Sequence, residues 1–301
     1  MIRKDNRKSK KLLLAGCLCM LVFLAVTGCK ETTASRSLSE REFHYDDPLS
    51  ALSLDGNGYW IGGENGIVWH VMGENRQRFY TGLDRIYDIE RDPVRTDFLW
   101  IASRNAGLQL WETAGDTLVH RVTFDIPCKG NRYSPYDIDI ADSSLFVATS
   151  QGLYTMSLHR QQQGLKKLYP VCEDGAKQEG KPFLVNGLCH AGGNRIFAAT
   201  QAGVVSFDRT SRKTDVYHKG ENIRNVAVYG GKLYVLSSER LTIEEPDGMK
   251  RVSYPLPQPV LSFYKAGPTH YFITSSSILL SDNLKRFVSI SLRSNIPDNP
   301  H

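Results

Sequence analysis

The sequence predicts an all-β fold: a β-propeller of four-stranded blades, with six blades the best count and seven the alternative. Three observations carry this expectation. A strand–turn–strand phrase recurs along the chain around one large residue: Trp60, Trp100, Phe146, Phe197, Tyr234 and Phe272, spaced about 40, 46, 51, 37 and 38 residues apart. Each copy is flanked by further short apolar runs, so that roughly four strands fall in each period. Helical periodicity is absent from residues 41–301. Four short strands repeated every forty or so residues is the pattern of propeller blades.

The clearest copy is Leu52–Ile67, in which an apolar run leads into Asp55-Gly-Asn-Gly58 and then Tyr59-Trp60-Ile61-Gly62-Gly63. Asp-Gly and Asn-Gly supply the positive φ angles of tight antiparallel hairpins. Leu99–Leu108, Leu145–Leu153 and Ile196–Val204 repeat the phrase, and Leu233–Glu239 and Tyr271–Ser277 repeat it loosely. First strands are read at Ile86–Glu90, Tyr136–Ile140, Val185–Cys189 and Asn225–Val228, giving blades at 49–83, 84–132, 133–181, 182–221, 222–258 and 259–292. Gly62, Gly63, Ala102, Ala148, Ala198 and Ala199 suit the crowded convergence of blades. Trp60, Trp100, Phe146 and Phe197 suit the wider space between them, each contributing on the order of a few kcal/mol on burial. Arg41–Tyr45 resembles a fourth strand, so Phe43 and Tyr45 are either surplus or the remnant of a seventh blade.

The phrase Asp55-Gly-Asn-Gly-Tyr-Trp-Ile-Gly-Gly-Glu-Asn-Gly-Ile67 resembles the two-component regulator propeller repeat, approximately Asp-x-x-Gly-x-Leu-Trp-Ile-Gly-Thr-x-x-Gly-Leu. That repeat occurs in periplasmic sensors of hybrid histidine kinases, so the resemblance implies a propeller and a sensor-like role. No kinase or regulator segment is legible here, and the expectation is a stand-alone, lipid-anchored form of Bacteroidetes type.

Residues 1–28 read as a lipoprotein signal peptide, 29–40 as a flexible tether and 41–301 as the propeller domain. Six Lys/Arg between Arg3 and Lys11 precede an apolar run from Leu12 to Val26, too short to span a bilayer comfortably but suited to a secretory segment. It ends in Val26-Thr-Gly-Cys29, which resembles a bacterial lipobox and implies acylation, palmitate included, at Cys29. Leu14-Ala-Gly-Cys17 fits the pattern too, but would leave an apolar run of only about five residues. Two or three acyl chains hold a protein stably at a membrane. Lys30 rather than Asp at the next position favours the outer membrane, either leaflet. Residues 1–28 carry six Lys/Arg and one Asp, equal to the chain's whole formal excess of +5. The remainder is neutral, which removes the basic balance on which a nucleic-acid partner would rest.

Motifs of nucleophilic, phosphate-binding or calcium chemistry are missing, and the eight histidines lack metal-ligand spacing. No cofactor or metal is expected, and the oligomeric state is taken as monomeric. Cys189 reads as a small buried hydrophobe and His190 as a loop residue. Cys128 and Cys172 leave equivalent points of successive blades, so a disulfide between them is geometrically open, although a third cysteine leaves the set odd.

Propellers bind ligands at one end of the innermost strands. Those positions hold Tyr87, Asp88, Tyr136, Asp137, Asn186, Asn225 and Ser262, with Arg85 and Arg224 close by. Rings stack on sugar faces, while amides and carboxyls pair with hydroxyls, so the set suits a glycan, and a peptide or protein partner remains open. Each residue alone is as well explained by capping a turn. Three functions follow. The first is a non-enzymatic binding or sensor-like module at the cell envelope. The second is a carbohydrate hydrolase or lyase using Asp88 and Asp137, which requires a defined carboxyl separation. The third is an outer-membrane assembly or scaffolding lipoprotein that captures strands at blade edges.

Overall fold

A computed structural model describes residues 49–291, apart from 57, 74, 127–133, 162–165, 170–183, 212, 246–249 and 276. Twenty-four strands form six separate four-stranded antiparallel sheets, each from strands consecutive in sequence. The innermost strands are Leu49–Asp55, Ile86–Arg91, Pro135–Ala141, Val185–His190, Asn225–Tyr229 and Ser262–Ala266, and each blade then steps outward by hairpins. Inner strands of successive blades lie against one another, and blade six meets blade one where Thr269–Ile273 approaches Leu49–Asp55. This is a six-bladed β-propeller.

Among the described residues the ring closes without strand exchange. Blade six owns its fourth strand, Val288–Ser291, paired to Ser277–Ser281. Phe43 and Tyr45 lie outside the described residues, as do Cys29, Cys128 and Cys172.

Alternation explains why the blades stick. In Phe98–Ser103, Trp100 and Ala102 face blade three and pack with Ile138, Leu145 and Val147, whereas Leu99 and Ile101 face blade one, packing with Trp60 and Val68. Phe146 and Phe197 do the same for the third-to-fourth and fourth-to-fifth junctions, and Tyr234 for the fifth-to-sixth. All six anchors are buried. Gly62 marks the close approach: an added Cβ would sit 2.6 Å from Ile86 Cγ2 of the next blade.

The second-strand tryptophans also carry a polar bond. Trp60 Nε1 donates to Asp55 Oδ2 at 3.2 Å, and Trp100 Nε1 donates to Asp92 Oδ2 at 3.2 Å. Each Asp follows or ends an inner strand, so the first two blades repeat the contact with different loop lengths. Cys189 is buried with a free thiol. His190 departs from expectation: it ends an inner strand, and its ring stacks on Phe146 with centroids 6.0 Å apart rather than sitting in a loop.

Candidate functional site at the channel mouth

Four innermost strands share an irregularity at the same end. In blade one, Leu49 pairs with Gly63 and Ala51 with Gly62, so Ser50 is skipped. Tyr87 is skipped between Ile86 and Asp88, Tyr136 between Pro135 and Asp137, and Asn186 between Val185 and Gly187. A β-bulge adds one residue to a strand and re-aims its side chain. Here all four extra residues line one cavity of about 310 Å³ at the end of the axial channel, at the lower edge of the ~300–1,000 Å³ range typical of ligand sites. Blades five and six lack the bulge and present Asn225, Ser262 and Tyr264 to the same space.

Two tyrosines form an aromatic corner. The rings of Tyr87 and Tyr136 meet edge to face with centroids 5.0 Å apart, and the Arg85 guanidinium lies 5.4 Å from the Tyr87 centroid. Asn186 Nδ2 donates to Ile223 O at 2.6 Å, which holds its amide against blade five.

The floor is made of acids that act first as structural bolts. Asp88 Oδ2 accepts from Ile138 N at 2.8 Å, Asp137 Oδ2 from Leu188 N at 2.7 Å, and Asp139 from His190 N. The Asp88 and Asp137 side chains are hydrogen-bonded to each other, and Tyr264 donates across the channel to Asp88 Oδ1 at 3.4 Å. Asp137, Asn225 and Tyr264 face both the mouth and a second chamber of about 200 Å³ beneath it. Glu90 and Asp139 line that lower chamber.

Burial dominates the electrostatics. Asp137 and Glu90 keep part of their surface on the channel, but the surrounding strands desolvate their carboxyls and that effect is the largest one acting on them. It pushes the carboxyls of Asp88 and Asp137 well above the usual range, with Glu90 adding to the first and Asp88 to the second. Burial, then the neighbouring Asp139 and Asp137, pushes Glu90 up to about 8. Asp139 is raised by burial as well. Burial and the mutual repulsion of neighbouring carboxyls thus favour the protonated forms of these acids. Among the described residues, no group of three or more His, Cys, Asp or Glu is placed to hold a metal ion.

All six candidates read from the sequence, Tyr87, Asp88, Tyr136, Asp137, Asn186 and Asn225, line the mouth together with Arg85, Arg224 and Ser262. Glu90, Asp139 and Tyr264 were missed. Their signal was the two-residue period of a strand: each stands two positions beyond a residue already singled out. Gln201 and Asn222 also line the cavity from connections between strands, where position in sequence carried no signal.

No protein-family model matches the chain, and no curated protein matches it in sequence. Among solved structures, the extracellular domain of BT4673, assigned to a hybrid two-component system of B. thetaiotaomicron, is similar with a TM-score of 0.61 at 16% identity, over 82% of this chain and 37% of that one. The extracellular domain of BT3049, similarly assigned in B. thetaiotaomicron, gives 0.59 at 14% identity, over 83% and 36%. The computationally designed protein Ika8 gives 0.55 at 10% identity, over 81% and 87%. The likeness is one of fold. This chain spans little more than a third of the two bacterial structures.

Proposed function

We propose that this chain is a non-enzymatic, sensor-like binding module of the cell envelope, lipid-anchored through Cys29, with its ligand site at the channel mouth. The observation that carries the reading is the set of four bulges turning Ser50, Tyr87, Tyr136 and Asn186 onto one cavity. Each bulge interrupts a hydrogen-bonded ladder, a cost that one chance irregularity would explain but that four at equivalent places would not. The fold shared with extracellular domains of hybrid two-component systems supports the envelope setting. A polyhydroxylated ligand suits the mixture of tyrosine rings, amides and hydroxyls.

The acid-pair hydrolase draws no support from the geometry. Glycosidase carboxyls stand about 5–5.5 Å apart when retaining and about 6.5–9.5 Å when inverting, whereas Asp88 and Asp137 are in hydrogen-bond contact and committed to backbone N–H groups of the next blade.

The test is a thermal-shift panel of oligosaccharides and peptides on the full-length protein. At least one should raise Tm, and Tyr87→Ala and Asn186→Ala should each abolish that shift. A ligand shift unaltered by both variants would place binding elsewhere. Labelled palmitate should enter the wild-type protein but not Cys29→Ser; equal labelling of both would remove the anchor.

A further inference from the structure

We infer that the ligand of the mouth is a saccharide carrying a carboxylate, held by Arg224 with Arg85 facing it; this rests on the mouth being a saccharide site. Arg224 and Arg85 immediately precede the inner strands of blades five and two. In a ring of six those blades stand opposite each other, so the two guanidiniums flank the cavity they both line.

Their bonding states differ from those of the floor. Asp88 and Asp137 each accept a backbone N–H of the next blade, and burial favours their protonated forms. Arg85 is partly compensated, its Nη1 lying 3.2 Å from Glu64 Oε1, but its Nε is buried with no acceptor among the described residues. The Arg224 guanidinium has no hydrogen-bond or ion-pair partner among the described residues. Guanidinium N–H donors in a recessed site favour a planar anion, to which they bond in pairs. The remaining lining, from Ser50, Asn186, Gln201, Asn222 and Ser262, is uncharged and offers both donors and acceptors. Together with the Tyr87–Tyr136 corner, that neutral majority fits sugar hydroxyls and ring faces, and the arginines fit the acid. A strongly acidic peptide fits less well, because only two positions would meet its charges.

The probe is an array of uronic-acid oligosaccharides, each beside its carboxyl-reduced, neutral counterpart and a set of other neutral glycans, with an oligo-glutamate peptide as control. Binding should be confined to carboxylate-bearing saccharides and fall at least about tenfold on carboxyl reduction. Arg224→Gln should lower binding of the acid about tenfold while leaving any residual binding of the reduced form unchanged, and Arg224→Lys should retain part of it. Melting temperatures of both variants within a few degrees of wild type guard against misfolding. Equal binding of acid and reduced forms, or hits among neutral glycans only, overturns the carboxylate and leaves a saccharide site standing. Capture of oligo-glutamate without any saccharide overturns both, as does silence across the array.

Discussion

Asp137 Oδ2 accepts a hydrogen bond of 2.7 Å from the backbone N–H of Leu188, joining the inner strand of blade three to that of blade four. Asp88 does the same to Ile138 N from blade two to blade three. Inner strands of neighbouring blades belong to different sheets, so their channel-facing N–H groups have no ladder partner. Buried N–H groups need one, and the carboxyls supply it.

If these acids are bolts carrying a proton, an amide should replace one and a methyl group should not. Asp137→Asn keeps an oxygen for Leu188 N–H and an N–H for Asp88, and should lie within about 1 kcal/mol of wild type at pH 7. Asp137→Ala strands both groups and should cost about 2–4 kcal/mol. Urea denaturation of the two variants side by side tests this; similar losses in both would mean the contact is incidental.

Glu90 sets the direction of the pH dependence. Its carboxyl titrates near 8 in the folded chain against 4.5 as the ordinary value. Between those values the unfolded chain has released a proton that the fold retains, so raising the pH favours unfolding. Stability should be full below about pH 4.5 and fall, by a few kcal/mol at most, as pH rises through 8. Glu90→Gln should flatten that slope. Stability that rises from pH 5 to 8 would contradict the sign.

Gly66 and Gly82 separate two kinds of glycine requirement. Both have positive φ, +74° and +71°, but an added Cβ at Gly66 would lie 2.1 Å from Leu83 O, while at Gly82 it meets nothing within 4 Å. Gly82→Ala should cost about 1 kcal/mol from the left-handed backbone alone. Gly66→Ala must also displace the turn into blade two, and should cost at least twice as much by thermal denaturation. Equal losses would show that the backbone at Leu83 yields freely.

Trp100 combines packing with a polar bond. It is fully buried, and its indole N–H meets Asp92, itself buried and also held by Arg95 Nη2 at 2.8 Å. Trp100→Ala should cost about 3–5 kcal/mol through the cavity. Trp100→Phe keeps most of the volume and should cost less. Asp92→Ala should lose about 1–3 kcal/mol by stranding the indole N–H and Arg95. Chemical denaturation of the three would rank them; a neutral Asp92→Ala would make the repeated Trp–Asp contact dispensable.

The repeat was legible because packing between blades demands the same large residue at the same strand position in each copy. Trp60, Trp100, Phe146, Phe197, Tyr234 and Phe272 therefore announced both the fold and the number of blades. The polar ends of the inner strands were legible too, since Tyr87-Asp88 and Tyr136-Asp137 interrupt otherwise apolar runs. Strand alternation, however, sends adjacent residues to opposite faces. Both members of each pair reach the mouth because a bulge intervenes, and a bulge is a property of register between two strands, invisible in either alone. The same limit hid the bond between Asp88 and Asp137, 49 positions apart, and the reach of Tyr264 from blade six to blade two. Sequence by itself determined which residues face inward and how often the blade recurs, because burial is local and periodic. Tertiary structure alone decided which acids meet at the floor and that the Arg224 guanidinium has no partner among the described residues, because ring closure brings together residues that no spacing connects.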